Sequence, residues 1–273
     1  MVPSAFRFPA LAAVLLCALT LAALPVLGPG ISGEPAQARP AQAPAPAPLA
    51  RPATRLRALP SLATEANPTP RPLTHRIARI RAGRSVKLRS KPGGPVVATI
   101  GARTEFGSRR VLAVAERRGR WLGVLATERP NGKLGWVDGR SRAVDRGRTK
   151  ISLRADLSRR RIELRVGRKV VKRLKVAVGR PGSSTPTGRF AITDKISGSR
   201  FGPYYGCCIL ALSGHQPNVP PGWKGGNRLA VHGTDKPGTI GAAASAGCLR
   251  GSDDELRVLM RRVPVGATIT IRR

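Results

Sequence analysis

Of the four cysteines in this 273-residue chain, Cys248 has the surroundings that a reacting thiol needs. It follows Gly241-Ala-Ala-Ala-Ser-Ala-Gly247, a run of small residues that lets backbone N–H groups converge beside the sulfur, as stabilising a tetrahedral oxyanion requires. Three residues separate it from Ser252, which with Asp253, Asp254 and Glu255 forms a capping box that starts a helix. The nearby helix N-terminus and Arg250, two residues on, predict a lowered thiol pKa. Such a thiol needs a base. His232, 16 residues upstream, ends the apolar stretch Leu229-Ala-Val231 and precedes Gly233-Thr234. A strand end there is a rigid platform for aiming an imidazole at a loop thiol.

The elements that must hold this pair are mainly strands. Ile162, Leu164 and Val166 alternate with charged residues before Gly167-Arg168, and Val170, Leu174, Val176 and Val178 follow, which predicts a hairpin with one apolar face. After the capping box, Leu256, Leu259 and Met260 form the apolar stripe of one short helix that ends at Arg261-Arg262. Ala267-Thr-Ile-Thr-Ile271 then alternates as a final strand. Upstream, from His75 to Val144, five short alternating stretches (86–88, 96–100, 111–114, 121–124 and 135–137) are separated by turn signals such as Pro92-Gly93-Gly94 and Pro130-Asn131-Gly132. Five strands in so short a span predict a small barrel.

The adjacent Cys207 and Cys208 are expected as two buried thiols, because bridging neighbouring residues is strained. His215 either borders the cleft or is a loop residue, and Trp223 either lines a substrate groove or covers a core edge. No cluster of side chains has metal-ligand spacing, so no cofactor is implied.

Before residue 73 the chain reads differently. Arg7 precedes an apolar run from Ala10 to Leu27 that contains Cys17 and is interrupted only by Pro25, the layout of a secretory signal or an uncleaved anchor over residues 1–34. Residues 35–72 hold ten prolines among Ala, Gln and Thr and predict an extended spacer. The protein is therefore expected to be exported to the cell envelope, wall or exterior, touching the membrane only through an uncleaved anchor.

The formal charge is +35, mostly arginine, and it is not a detachable tail: residues 71–145 carry 18 basic against 5 acidic side chains, and residues 146–273 carry 26 against 7. A charge this lopsided attracts polyanions, and an anionic cell envelope is the expected partner. Sparse aromatics, at 4%, and the lack of a nucleic-acid motif argue against nucleic acid.

Two resemblances sharpen this reading. The segments LRSKPGG, RRGRWLGV and GKLGWV resemble bacterial SH3-like modules of cell-wall enzymes, which places such a module at 73–145. The stretch HGTDKPGTIGAAASAGCLR, together with TPTGRF at Thr185–Phe190, resembles the signature of the YkuD-type L,D-transpeptidases and places a catalytic domain at 149–273. That resemblance implies a β-sandwich with a helix on one side and acyl transfer on peptidoglycan stem peptides, with carbapenems as covalent inhibitors. By the same resemblance Cys248 is the nucleophile, His232 the base, the Gly233 carbonyl orients the imidazole, and the Gly247 and Cys248 N–H groups form the oxyanion hole. Arg250 is assigned to a substrate contact or to support of the loop, and Ser245 and Tyr205 are assigned to substrate contacts. The family commonly has His where this chain has Ala246. Water as acceptor, giving an L,D-carboxypeptidase, and a non-catalytic wall-binding protein are the alternatives.

Overall fold

The computed structural model describes residues 73–223 and 225–273. The expected leader, its Cys17 and the proline-rich spacer lie outside the described residues. The chain is mainly β, with a single α-helix among the described residues.

The first sheet contains β1 (His75–Ile80), β2 (Ser85–Arg89), β3 (Val96–Gly101), β4 (Val111–Arg118), β5 (Trp121–Leu125), β6 (Gly135–Asp138) and β7 (Val144–Thr149). Its strand order is β3-β2-β6-β5-β4-β1-β7. The five expected strands are present, and β1 and β7 add to them. Sequence alternation misses β7 because Val144-Asp-Arg-Gly-Arg-Thr149 has almost no apolar face; it exists as an edge strand paired along the whole of β1. Leu88, Ile100, Leu112, Leu122, Val124 and Val137 fill this unit's own core.

The second part contains β8 (Ile151–Asp156), β9 (Arg161–Val166), β10 (Lys169–Lys175), β11 (Val178–Gly179), β12 (Gly188–Ser197), β13 (Cys208–His215), β14 (Arg228–His232), β15 (Ala243–Ser245), β16 (Leu249–Arg250), α1 (Asp253–Arg262) and β17 (Thr268–Arg272). Eight of these strands form one sheet, ordered β10-β9-β8-β17-β12-β13-β14-β16. Ten-residue β12 belongs to both halves: its first residues pair with β17 and its last with β13. The sheet therefore curls over a single core in which Leu153, Leu164, Ile192, Leu210, Leu229 and Ile269 meet Leu256 and Leu259 of α1. Each such side chain contributes about 1.5–3 kcal/mol on burial.

The expected hairpin is β9–β10, with Leu174 opposite Ile162. The expected capping box is also formed: Ser252 Oγ accepts the Glu255 N–H at 3.4 Å, and Val263 closes the far end of α1. This cap sets where α1 begins, and so fixes the length of the segment between Cys248 and the helix.

Cys207 and Cys208 depart from expectation. They form a vicinal disulfide, with Cα atoms 3.7 Å apart. The preceding Gly206, at φ +56°, turns the chain so that the Cys207 N–H donates to Asp253 Oδ2 at 3.0 Å while Cys208 already starts β13. The pair thus straddles a corner and a strand start, which alternation along the sequence does not reveal.

The two sheets are joined by specific contacts. Asn131, in the turn before β6, accepts the His215 N–H at 2.9 Å and donates to the His215 carbonyl at 2.7 Å. Thr104 donates to Asp194, Glu105 pairs with Arg228, and Ala113 and Leu125 pack on Ala191. His215 is thus tied to the first sheet by its backbone. We expect Asn131→Ala to lower unfolding free energy by about 1 kcal/mol, because water can replace part of an exposed amide's bonding. Chemical denaturation of the purified chain measures this.

Candidate active site

Strand register brings the candidate nucleophile and base together. β14 and β16 run parallel, with Val231 opposite Leu249 and His232 opposite Arg250. Cys248, one residue before β16, therefore falls beside Ala230, on the same face as His232 and diagonal to it. The Tyr205 ring spans both: its centroid lies 4.9 Å from that of His232, and Tyr205 and Cys248 pack on the same cluster of Ile196, Ile209, Ala211 and Ala230.

His232 is completely buried. Its Nδ1 lies 2.6 Å from the Gly233 carbonyl oxygen. A carbonyl only accepts, so Nδ1 carries the proton and Nε2 presents a lone pair. Among the described residues that Nε2 has no hydrogen-bond partner. The Gly233 carbonyl thus holds the His232 imidazole in one tautomer. Burial lowers the imidazole pKa to about 4 against the opposing effect of the Gly233 carbonyl.

The expected lowering of the Cys248 pKa is not found. The residue is half-buried, its thiol directed at the Arg228 carbonyl at 3.8 Å, and burial pushes it up to about 11 in spite of the Ala230 N–H and Arg250. Desolvation of the thiolate outweighs the helix terminus and the cation. At neutral pH the pair rests as thiol and neutral imidazole, not as an ion pair.

The loop carrying Cys248 is held from two sides. Ser245 Oγ donates to the Cys248 carbonyl at 2.6 Å and accepts the Gly247 N–H at 3.1 Å. Ser245 is buried and braces the loop, and the Gly247 N–H is engaged by Ser245 Oγ. Among the described residues the Cys248 N–H donates to no acceptor. From the other side the buried Gln216 amide lies 3.1 Å from the carbonyls of Ser183, Ser184 and Ala246. It stitches the Thr185–Phe190 region to the cysteine loop, and Gly247, at φ +120°, leaves no room for a Cβ, which would lie 2.0 Å from Gln216 Nε2. Sequence reasoning passed over Gln216 and singled out its neighbour His215. Its one visible signal is a polar residue directly after the end of β13.

Arg250 is buried, donates to the Ala244 carbonyl at 3.0 Å and to Thr239 Oγ1 at 3.2 Å, and stacks over Tyr204. It supports the loop and also faces a groove of about 440 Å³ that Arg180 and Lys236 line with it. Trp223 packs edge-on to Tyr204 at 5.5 Å and lines this groove, not a core edge. A narrower slot containing Cys248 and Tyr205 shares Tyr204, Trp223 and Ala246 with that groove. Among the described residues no three His, Cys, Asp or Glu side chains gather so as to hold a metal ion.

A buried Cys–His pair on one sheet face, with the base held by the next residue's carbonyl, agrees with what family comparison returns. Residues 150–271 match the L,D-transpeptidase catalytic domain, YkuD. Of curated proteins, the Bacillus subtilis (strain 168) protein YkuD, an L,D-transpeptidase by inference, is 32% identical over 114 residues, 41% of this chain and 60% of that protein. YqjB of the same organism, named in the same way, is 32% identical over 105 residues, 35% of this chain and 56% of that protein. The chain thus spans less than two thirds of either relative. Among solved structures, the L,D-transpeptidase from Mycobacterium smegmatis is similar at 18% identity, covering 51% of this chain and 73% of that chain with a TM-score of 0.35. The YkuD-matching segment begins just before β8 and ends within β17, so it takes in the whole curled sheet, α1 and the Cys–His pair.

Two outcomes follow for the YkuD-type segment. His232 binds its proton more weakly folded than unfolded, so the unfolded chain takes up more protons below about pH 6.5. Stability then falls as pH drops from there to about 4, by about 3 kcal/mol from this group. Denaturation titrations should show that slope in wild type and lose most of it in His232→Gln. Separately, Gln216→Ala should slow thiol acylation by about 10²-fold with little change in ligand affinity, since small displacements of a reacting group cost that much. Stopped-flow acylation measured against ligand concentration separates the two terms.

Proposed function

We propose that the protein is an exported peptidoglycan L,D-transpeptidase in which Cys248 is the nucleophile and His232 the base. The observation that carries this reading is the Nε2 lone pair of His232, buried and unpartnered among the described residues, on the same sheet face as the only free cysteine described.

As the Cys248 sulfur attacks the carbonyl of the L-centre residue before a terminal D-Ala, its proton passes to His232 Nε2. The tetrahedral oxyanion faces the uncommitted Cys248 N–H. Collapse breaks the C–N bond, and D-Ala leaves with the proton from His232. An amine of a neighbouring stem then attacks the thioester, gives its proton to His232, and releases the Cys248 thiol with that proton. Because the imidazolium exists only transiently in a dry site, Gly233 and the base must be placed beforehand. Arg180, Lys236 and Arg250 along the adjoining groove suit the carboxylates of stem peptides, and Tyr204 and Trp223 line that groove with them. The arginine-rich first sheet, with its SH3-like segments, would hold the enzyme on the anionic wall.

Cys248→Ala should abolish carbapenem adduct formation by intact mass, while the Cys207→Ala/Cys208→Ala double variant should still form it. With a tetrapeptide donor, wild type should yield cross-linked dimers in muropeptide mass spectra. Trimmed tripeptides alone would make it an L,D-carboxypeptidase, and an adduct on Cys248→Ala would overturn the assignment of the nucleophile.

A further inference from the structure

Several arginines outside the candidate site gather along one pair of adjoining troughs. On the face of the curled sheet opposite its core, paired residues form rows. Arg189, Thr270 and Arg154 lie across β12, β17 and β8, and Thr268, Ser152 and Arg165 across β17, β8 and β9. Their chain neighbours Phe190, Ile269, Leu153 and Leu164 point the other way into the core, so strand alternation fixes these polar rows outward. Facing them, Arg76 of β1 and Arg148 of β7 stand opposite each other in the first sheet. Between the two lies a trough of about 560 Å³, which Arg272 also lines. It adjoins a second trough of about 530 Å³ that shares Arg76, Val114 and Arg148 and adds Arg117 and Arg146.

The charge there is largely uncompensated. Arg165 pairs with Glu163 and Arg272 with Asp156, but among the described residues Arg76, Arg154 and Arg189 have no carboxylate partner. His75, at the trough wall, has a buried Nε2 without a hydrogen-bond partner among the described residues, and burial and Arg189 lower its pKa. Among the described residues no Phe, Tyr or Trp lines either trough, so bases would find no broad stacking platform. Guanidinium forks approach from two walls, with Thr268, Thr270 and Ser152 hydroxyls between them. Planar carboxylates need one fork, whereas the tetrahedral oxygens of a phosphate can be met from both sides.

We propose that this trough binds a flexible phosphodiester polymer without bases, a polyol-phosphate chain of the envelope, at a site separate from Cys248. Binding is measured by fluorescence anisotropy of a labelled oligo(glycerol phosphate) with the full chain at about 0.1 M salt, where exposed charges are screened over about 10 Å. Arg154→Gln/Arg189→Gln should weaken binding about tenfold or more. Arg261→Gln/Arg262→Gln, the same charge change at the end of α1, should weaken it less than about twofold, and both variants should keep the wild-type rate of Cys248 alkylation. Three results would overturn the proposal: no binding by wild type, equal loss in the two double variants, or binding of oligogalacturonate or single-stranded DNA of matched charge as tight as that of the glycerol phosphate oligomer.

Discussion

Complete burial of the His232 imidazole is the constraint around which the second part of the chain is organised. A desolvated ring cannot hold a charge cheaply, so it rests neutral, and a neutral ring serves as a base only if its proton sits on the correct nitrogen. The Gly233 carbonyl meets that condition. Holding that carbonyl in place requires close backbone packing: a Cβ on Gly233 would lie 2.2 Å from Asp253 Oδ1, and one on Gly206 would lie 2.4 Å from the Thr234 nitrogen. Asp253 is the first residue of α1, so the same capping box that starts the helix also seats the turn that orients the base.

The first sheet reaches this site as well. Phe106, in the loop before β4, packs on the same cluster of Ile196, Ile209, Ala211 and Ala230 as Tyr205 and Cys248, and stacks edge-on against Phe201. Its neighbour Glu105 pairs with Arg228, whose side chain also donates to the Leu212 carbonyl and to Thr193. The Arg228 carbonyl is in turn the group that the Cys248 thiol faces. Contacts from the first sheet therefore reach the cluster on which Cys248 packs and the residue whose carbonyl its thiol faces.

What the sequence disclosed was local. The hairpin β9–β10, the capped helix and the final strand follow from alternation and end signals within a few residues of each other, and Cys248 and His232 stood out for the same reason. What it concealed depends on partners far along the chain. Gln216 acts through carbonyls 30 to 33 residues away, β7 exists only because β1 lies beside it, and the bond of Ser245 to the Cys248 carbonyl requires the folded loop. The thiol pKa went the wrong way in the sequence reading for a physical reason. The positive groups near Cys248 are visible in the sequence, whereas the apolar cluster that desolvates it comes from β12, β13 and β14.

The central claim is that the reacting pair rests uncharged. Ultraviolet thiolate absorbance, taken as the difference between wild type and Cys248→Ala across a pH titration, tests it directly, since Cys248 is the one described cysteine outside a disulfide. The account predicts no Cys248 thiolate signal at neutral pH and a transition near pH 11. A full thiolate signal at neutral pH, lost on acidification, would show a preformed thiolate–imidazolium pair and contradict it.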